Sequence, residues 1–298
     1  MNVKVWLRAF RLRTLPLALS CIGMGAFLAA GMGAFRWSIF LLCISTTIFL
    51  QILSNLSNDY GDSVHGADSD DRKGPSRTVQ SGAITAGAMR TAMVIFALLS
   101  FASGMFLLFI AFGVDWKAIL FFLVLGLASI AAAIAYTVGR KPYGYAGLGD
   151  ISVFVFFGLV GVLGSFYLFA KELSWLEVLP AITCGLFSVA VLNINNIRDI
   201  SSDQKAGKQS VPVRIGRERA VRYHWVLLIG GITAAVLYVM VTSNSPWQWL
   251  FLLTIPLFIK NGLTVSRLHA EQLDPYLKQM AVSTLIFVIL YGTGQLLR

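Results

Sequence analysis

Apolar residues occur along this chain in long runs separated by short polar stretches. Nearly charge-free runs of about 20 residues, the length an α-helix needs to cross the hydrocarbon core of a bilayer, cover 14–35, 37–57, 91–114, 118–138, 151–170, 174–197, 224–242, 247–265 and 280–297. They predict about nine spanning helices. Two runs are less regular. The run 247–265 carries Pro256 and Lys260, so a break toward its intracellular end is expected. The run 174–197 has Glu177 and Pro180 near its start and a cluster of asparagines near its finish. Nothing alternates like a barrel strand, and a lipid-embedded backbone must bond within its own segment. An all-α integral membrane chain is therefore expected, a single domain over residues 1–298.

Composition agrees: the 298 residues are 57% hydrophobic and 13% charged, against roughly 45–50% apolar in a soluble domain. The basic residues also orient the chain. With the N-terminus inside, only Arg36, Lys117, Lys171 and Arg298 of the 24 Lys and Arg residues fall on the outer side, the positive-inside bias of a chain with its N-terminus in the cytoplasm and its C-terminus outside. The net charge of +10 is then a mark of topology, and no nucleic-acid partner is needed to explain it. Arg8, Arg11 and Arg13 precede the first run, but no short apolar region with a cleavage site follows, so no cleavable signal peptide is expected. Cys21, Cys43 and Cys184 lie singly inside apolar runs, without CxxC spacing, and read as small core residues rather than as redox or zinc groups.

Connections on the outer side are short, whereas 58–90, 139–150, 198–223 and 266–279 are long and all inside. Long ordered loops on a rigid scaffold are where sites usually lie. Two of them carry matching acidic clusters. "NDYGDSVHGAD" follows the second run and sets Asn58 and Asp62 four residues apart, with Asp68 beyond. "NINNIRDISSDQKAGK" ends the sixth run and repeats the step in Asn195, Asp199 and Asp203. A four-residue step places side chains on one helical face, so each helix end offers a stripe of oxygen ligands, and the two together form an acidic cup. Asn and Asp are common just past helix ends, and one such cluster would read as structural. Two at the same spacing on the same side point to chemistry.

Closely set carboxylates raise one another's pKa, so a cation is expected in the cup. Oxygen ligands without His or Cys favour a hard ion, Mg²⁺ above all, which is usually held by a few carboxylates together with substrate phosphates. Arg72, Lys73 and Arg77 follow the first cluster, Arg198, Lys205 and Lys208 surround the second, and Arg140 and Lys141 lie between. Acid and base interleaved in this way suit a metal-bridged diphosphate at a membrane surface.

These two clusters, with "DRKGPSRTVQSGAIT", "RLRTLPLAL" and "YTVGRKPYGYAGLGD", resemble the UbiA superfamily of intramembrane prenyltransferases, and within it the members that act on 1,4-dihydroxy-2-naphthoate in menaquinone biosynthesis. The resemblance extends over most of the chain; "QSVPVRIG" departs from the usual text without touching a candidate ligand. It implies a UbiA-type fold, nine helices around a central cavity with the second and sixth facing each other, capped by loops 58–90 and 198–223. It implies that Asn58, Asp62, Asp68, Asn195, Asp199 and Asp203 bind Mg²⁺, two or more ions, and through it the diphosphate of a polyprenyl donor. Arg72, Lys73, Arg77, Arg140, Lys141, Arg198 and Lys208 become candidates for the diphosphate itself, with Lys141 and Arg72 foremost. The acceptor would be a small aromatic acid that loses CO₂, the setting a bacterial inner membrane, and membrane lipid the only other partner; no obligate protein partner is inferred.

Several residues carry two readings. Asp59 points about 60° away from Asp62 on a regular helix and is a weaker ligand candidate. Asp150 either caps the fifth span or, by the resemblance, lies near the aromatic acceptor. Arg11 and Arg13 suit anchoring at the first helix entrance more than binding the acceptor carboxylate. Tyr136, Tyr143 and Tyr145 face either the reacting cation or the membrane interface. His65, His224 and His269 are dispersed and are not expected as ligands. Gln51 and Asn55 should point inward, away from lipid, and Gly158, Gly161 and Gly164 should allow close helix approach. A cation-coupled transporter is the alternative of another class, but its carboxylates belong near the midplane rather than at the membrane edge. A CDP-alcohol phosphotransferase would show DGxxAR, whereas Asp62 is followed by "SVHGAD". Within the superfamily, 4-hydroxybenzoate polyprenyltransferase is the rival.

Overall fold

The structure, a computed structural model, describes residues 3–65 and 77–297, and among these every regular element is helical. A short amphipathic helix, α1 (Val3–Phe10), is followed by α2 (Leu15–Gly31), α3 (Trp37–Val64), α4 (Ala86–Phe112), α5 (Trp116–Ala135), α6 (Gly149–Ala170), α7 (Trp175–Arg198), α8 (Arg217–Thr242), α9 (Pro246–Arg267) and α10 (Asp274–Leu296). Nine segments of the described chain are long and apolar enough to cross a membrane, α1 and α2 counting as one. The chain breaks between those two where Arg11 takes a left-handed backbone, φ 48°. Capping side chains start four of the spans: Thr85 accepts from Ala88 N at 3.2 Å, Asp115 from Ala118 N at 3.1 Å, Ser174 from Leu176 N at 3.2 Å and Ser245 from Trp247 N at 3.4 Å.

Large apolar side chains such as Leu98, Phe121, Val226 and Met240 stand exposed around the bundle, as a surface solvated by lipid requires. Trp37, Trp116, Trp175 and Trp247 are also exposed, each at the start of a span and all at the end of the bundle opposite the aspartates. That is the position of an interfacial aromatic belt. Inside, α2 packs on α3, α6, α7 and α10, while α3, α4 and α5 form a group of their own. Between α2, α3, α4, α5 and α6 lies a cavity of about 390 Å³, lined chiefly by apolar groups and by Asn58, Tyr136 and Tyr143 at one end. From Asn58 to Cys43 it spans fifteen residues of α3, roughly 22 Å at the α-helical rise. The helices α5 and α6 meet at Phe122 and Tyr167, whose rings stack with centroids 5.6 Å apart.

The observed elements differ from the expected ones in instructive places. The helix α3 runs past 57 to Val64, because its polar last turns find protein partners, beginning with the hydroxyl of Thr137 on the carbonyl of Ser57 at 2.9 Å. In α9 the irregular part is the opposite half from the one expected: Pro246–Thr254 is a 3₁₀ run, and Pro256 sits in the first turn of a regular α-helix that carries Lys260 to an exposed position. Proline is tolerated there because a first-turn N–H has no intrahelical partner to lose. The stretch Phe154–Gly164 of α6 is a π-helix. Of its glycines, Gly158 meets α7 so closely that a Cβ would fall 2.7 Å from the carbonyl oxygen of Ala181 and 2.8 Å from Cα of Gly185. Gly164 has nothing nearer than a Phe122 ring carbon at 3.9 Å and lines the cavity, so the expectation of close approach holds at Gly158 and fails there.

These contacts predict opposite outcomes for one substitution. Gly158→Ala should cost about 1–3 kcal/mol by forcing α6 and α7 apart, whereas Gly164→Ala should stay within about 0.5 kcal/mol of the parent. Thermal unfolding of the two variants in one detergent tests the difference.

Candidate active site

At one end of the bundle the apolar cavity meets the acidic helix ends. Because α3 stays helical to Val64, Asn58 and Asp62 lie one turn apart on the same face. Asn58 lines the cavity and accepts from the hydroxyl of Thr137 at 3.2 Å. Asp62, buried, accepts from the hydroxyl of Tyr145 at 3.0 Å and from the guanidinium of Arg77. Asp59 points elsewhere, as its 60° offset requires. Its carboxylate accepts from Thr78 N at 3.1 Å, Thr78 Oγ1 at 2.9 Å and Val79 N at 3.1 Å, clamping the returning loop to α3.

The second stripe comes off α7. Asp199 N bonds to the carbonyl of Asn195 at 3.1 Å and Asp203 N to that of Asp199 at 2.8 Å, so the four-residue step survives although α7 ends at Arg198 and a short helix, Ile200–Lys205, begins beyond Asp199. Arg198, 1% exposed in its side chain, grips this stripe. Its Nε and Nη2 donate to the two oxygens of Asp199 at 2.8 and 2.7 Å, and Nη2 also reaches Oδ1 of Asn195 at 2.8 Å. From the other edge, Nη1 meets Asp274, the first residue of α10, which also accepts from Arg13 at 2.6 Å. Lys208 Nζ stands 3.4 Å from Asp203 Oδ1 and 5.8 Å from the ring centre of Tyr145.

The two stripes share one electrostatic environment. Burial pushes the Asp203 carboxyl up to about 6; Lys208 pulls it down, and the charges of Asp199 and Asp62 add to the rise. Burial also works against the charge on Lys208, yet Asp203 and Asp62 hold it above the ordinary lysine range. Asp62 on α3 and Asp203 beyond α7 thus act on the same lysine. The loop between α5 and α6 completes the mouth: Gln209 N donates to the carbonyl of Tyr145 at 2.9 Å and Arg214 Nη2 to that of Ala146 at 2.6 Å. Gly147 is required at this seam, having φ +79° and a Cβ position 2.3 Å from the carbonyl oxygen of Gln209. His65 sets its ring nitrogens against the carbonyls of Gly61 (2.8 Å) and Gly139 (3.0 Å), one of which accepts its N–H.

Of the expected site residues, Asn58, Asp62, Arg77, Asn195, Arg198, Asp199, Asp203 and Lys208 are brought to this mouth. Arg140 and Lys141 stand exposed on the turn beside it. Asp68, Arg72 and Lys73 lie outside the described residues. Asp150 is not the cap of α6: that position belongs to Leu148, which has no side chain to cap with. Asp150 sits buried in the first turn, accepts from the hydroxyl of Tyr223 at 2.9 Å, and shares a small void with Tyr136, Asn196 and Lys208. Arg13 is engaged by Asp274, and Gln51 and Asn55 point inward, bonding to Thr14 at 3.2 and 3.1 Å. Sequence reasoning missed Asp274 altogether. An acid in a helix's first turn is commonplace, and only its two arginine partners set it apart.

The donor set suits a hard cation: all oxygen, no thiolate or imidazole turned inward. Among the described residues no three acidic, His or Cys side chains converge tightly enough to ligate an ion, because each aspartate holds a cation of the chain's own. The fit shows instead in Asp203 Oδ2, a buried carboxylate oxygen with no hydrogen-bond partner, the kind of group that is costly to leave unpaired.

Comparison with known proteins is specific. The UbiA prenyltransferase family matches residues 18–285. A 1,4-dihydroxy-2-naphthoate octaprenyltransferase of Escherichia coli (strain K12) is 45% identical, over 98% of this chain and 95% of that protein. One of the same name from Mycobacterium tuberculosis is 35% identical, over 95% and 94%. Solved structures agree in fold at low identity. The apo structure of a UbiA homolog from Aeropyrum pernix K1 has a TM-score of 0.70 at 17% identity, covering 95% of this chain and 97% of that one. A UbiA homolog from Archaeoglobus fulgidus bound to GPP and Mg²⁺ has a TM-score of 0.64 at 17% identity, over 99% and 100%.

Asp59→Ala should strip three donors of their acceptor, at about 1–3 kcal/mol for each buried group left unpaired. Amide exchange at Thr78 and Val79 should accelerate and the melting temperature fall; unchanged exchange there would remove the clamp.

Proposed function

The chain belongs to the UbiA prenyltransferase family, and from that premise we propose that it transfers a polyprenyl group from polyprenyl diphosphate to 1,4-dihydroxy-2-naphthoate with loss of diphosphate and CO₂, giving a demethylmenaquinol. The observation that carries this reading is the junction at the mouth, where an apolar cavity long enough for several prenyl units ends on Asn58 while Asp62, Asp199 and Asp203 surround Lys208 just beyond it. A donor with a hydrocarbon tail and a diphosphate head is divided in the same way. The relatives named for 1,4-dihydroxy-2-naphthoate support the acceptor.

Asn58, Asp62, Asn195, Asp199 and Asp203 would hold Mg²⁺, with Asp68 a further proposed ligand; two or more ions are proposed, and the family structure bound to GPP and Mg²⁺ supports the choice of metal. Bound Mg²⁺ supplies charge neutralisation to the departing diphosphate. The chain's own groups do the rest. Arg77 and Lys208, paired with Asp62 and Asp203, would supply positive charge to the diphosphate, with Arg140 and Lys141 on the neighbouring turn. The allylic C–O bond breaks with its electron pair leaving on the diphosphate; the electron-rich ring forms the new C–C bond, and its carboxylate departs as CO₂. Burial holds the Tyr136 phenol at about 12, Lys208 only partly offsetting it, so it stays protonated and offers its π face at the mouth beside Tyr143. The apolar lining keeps water from the allylic cation. Asp150, behind Tyr136, belongs to the acceptor side. The basic end of the bundle is placed in the cytoplasm, with the N-terminus inside, the C-terminus outside and the chain in the inner membrane.

Purified protein in detergent, given farnesyl or geranylgeranyl diphosphate and 1,4-dihydroxy-2-naphthoate, should form a lipid-soluble product with release of CO₂ only when Mg²⁺ is present. Asp62→Ala and Asp199→Ala should each lower turnover by about a hundredfold or more, the scale of losing a group that stabilises transition-state charge, while remaining folded and extractable. Product with 4-hydroxybenzoate alone would reassign the acceptor, and activity retained in both variants would sink the metal cup.

A further inference from the structure

We propose that Asp274 is a positioning residue of this site, acting through Arg198 to hold the face of α7 that carries Asn195 and Asp199 in its metal-binding arrangement. Asp274 opens α10, beyond both acidic motifs in sequence, and its carboxylate is shared: Oδ1 accepts from Arg198 Nη1 at 2.5 Å and Oδ2 from Arg13 Nη1 at 2.6 Å. The side chains of Arg13, Asp274 and Arg198 are 35%, 26% and 1% exposed, so the network runs inward from the surface and ends on a guanidinium sealed from solvent. There Arg198 has a carboxylate on each side. Nε and Nη2 serve Asp199 and Asn195, while Nη1 is held by Asp274.

A guanidinium presents its donors in one rigid plane, so fixing Nη1 fixes the direction of the other edge. With Asp274 in place, Arg198 grips Asp199 with one donor to each oxygen, which fixes the plane of that carboxylate. The negative charge of Asp274, favourably set at a helix N-terminus, also balances part of the positive charge that Arg198 would otherwise direct at an incoming Mg²⁺. Arg13 holds the carboxylate from its other side and ties the start of α2 to the arrangement. This assigns Arg13 and Arg198 to organising carboxylates rather than to the acceptor or the diphosphate.

The inference rests on the reading of Asp199 as a Mg²⁺ ligand, and the test separates the two. Wild type, D274N and D274E are purified, and Mg²⁺ is titrated against the thermal unfolding temperature without substrate and against prenyl-transfer rate with it. D274N should need roughly tenfold more Mg²⁺ than wild type for half-maximal stabilisation and for half-maximal rate, the scale of one buried charge-assisted hydrogen bond. D274E, which keeps the charge, should recover most of that shift. In an R198K background, D274N should add less than about twofold, since a residue acting through another is not additive with it. A wild-type Mg²⁺ midpoint in D274N overturns the inference, even if its melting temperature without metal has dropped, because that is the mark of a merely structural role. If D274N fails to accumulate, D274S provides the same midpoint. A wild type showing neither Mg²⁺-dependent stabilisation nor Mg²⁺-dependent transfer defeats the parent reading instead.

Discussion

A carboxylate taken out of water must be matched by a cation, and the mouth of this bundle is organised around that requirement. Asp62, Asp199 and Asp203 are all buried, each against a basic group of the same chain: Arg77, Arg198 and Lys208. Breaking a buried pair by removing one partner strands a charge and is far costlier than never building the pair. Each pair is local to its own motif, Arg77 against the end of α3 and Arg198 and Lys208 against the segment after α7. The same arrangement suits a site that must later exchange its own cations for a metal and a diphosphate.

The rest of the bundle serves this mouth in two ways. It supplies an apolar, elongated space directly beneath. It also carries the stripes to the right level. The helix α3 persists two turns beyond its apolar run, and the loop between α5 and α6 is stitched both to the end of α3, through His65 and Gly139, and to the segment after α7, through Tyr145 and Gln209. Rigid spacing is provided deeper in the bilayer by contacts only glycine permits, such as Gly158 on Gly185 and Gly25 on the backbone of α6. In lipid there is no hydrophobic drive between helices, so such close packing carries much of the cohesion.

Polar side chains within the membrane-spanning region follow the same logic. Gln51 and Asn55 join α3 to the α1–α2 junction through Thr14 and the carbonyl of Phe10. His224, Asn261 and Gln279 form a chain of bonds across α8, α9 and α10. None of these groups faces lipid, where an unpaired amide would have no partner.

By itself the sequence determined the class of the fold, the number and order of the spans, and the two stripes of oxygen ligands. A charge-free run of membrane length has one outcome in a bilayer, and a four-residue step has one direction on a helix. It also separated Asp59 from Asp62 by angle alone. Tertiary structure decided the pairings. That Asp62 meets Arg77 and Tyr145, that Lys208 stands between two motifs far apart in the chain, and that Asp274 grips Arg198 across the bundle depend on how the helices sit beside one another. Local spacing holds no record of such distances. The basic residues show the difference most clearly: the sequence reading puts Lys141 ahead of Lys208 for an anion, and packing leaves the first in solvent and buries the second among aspartates.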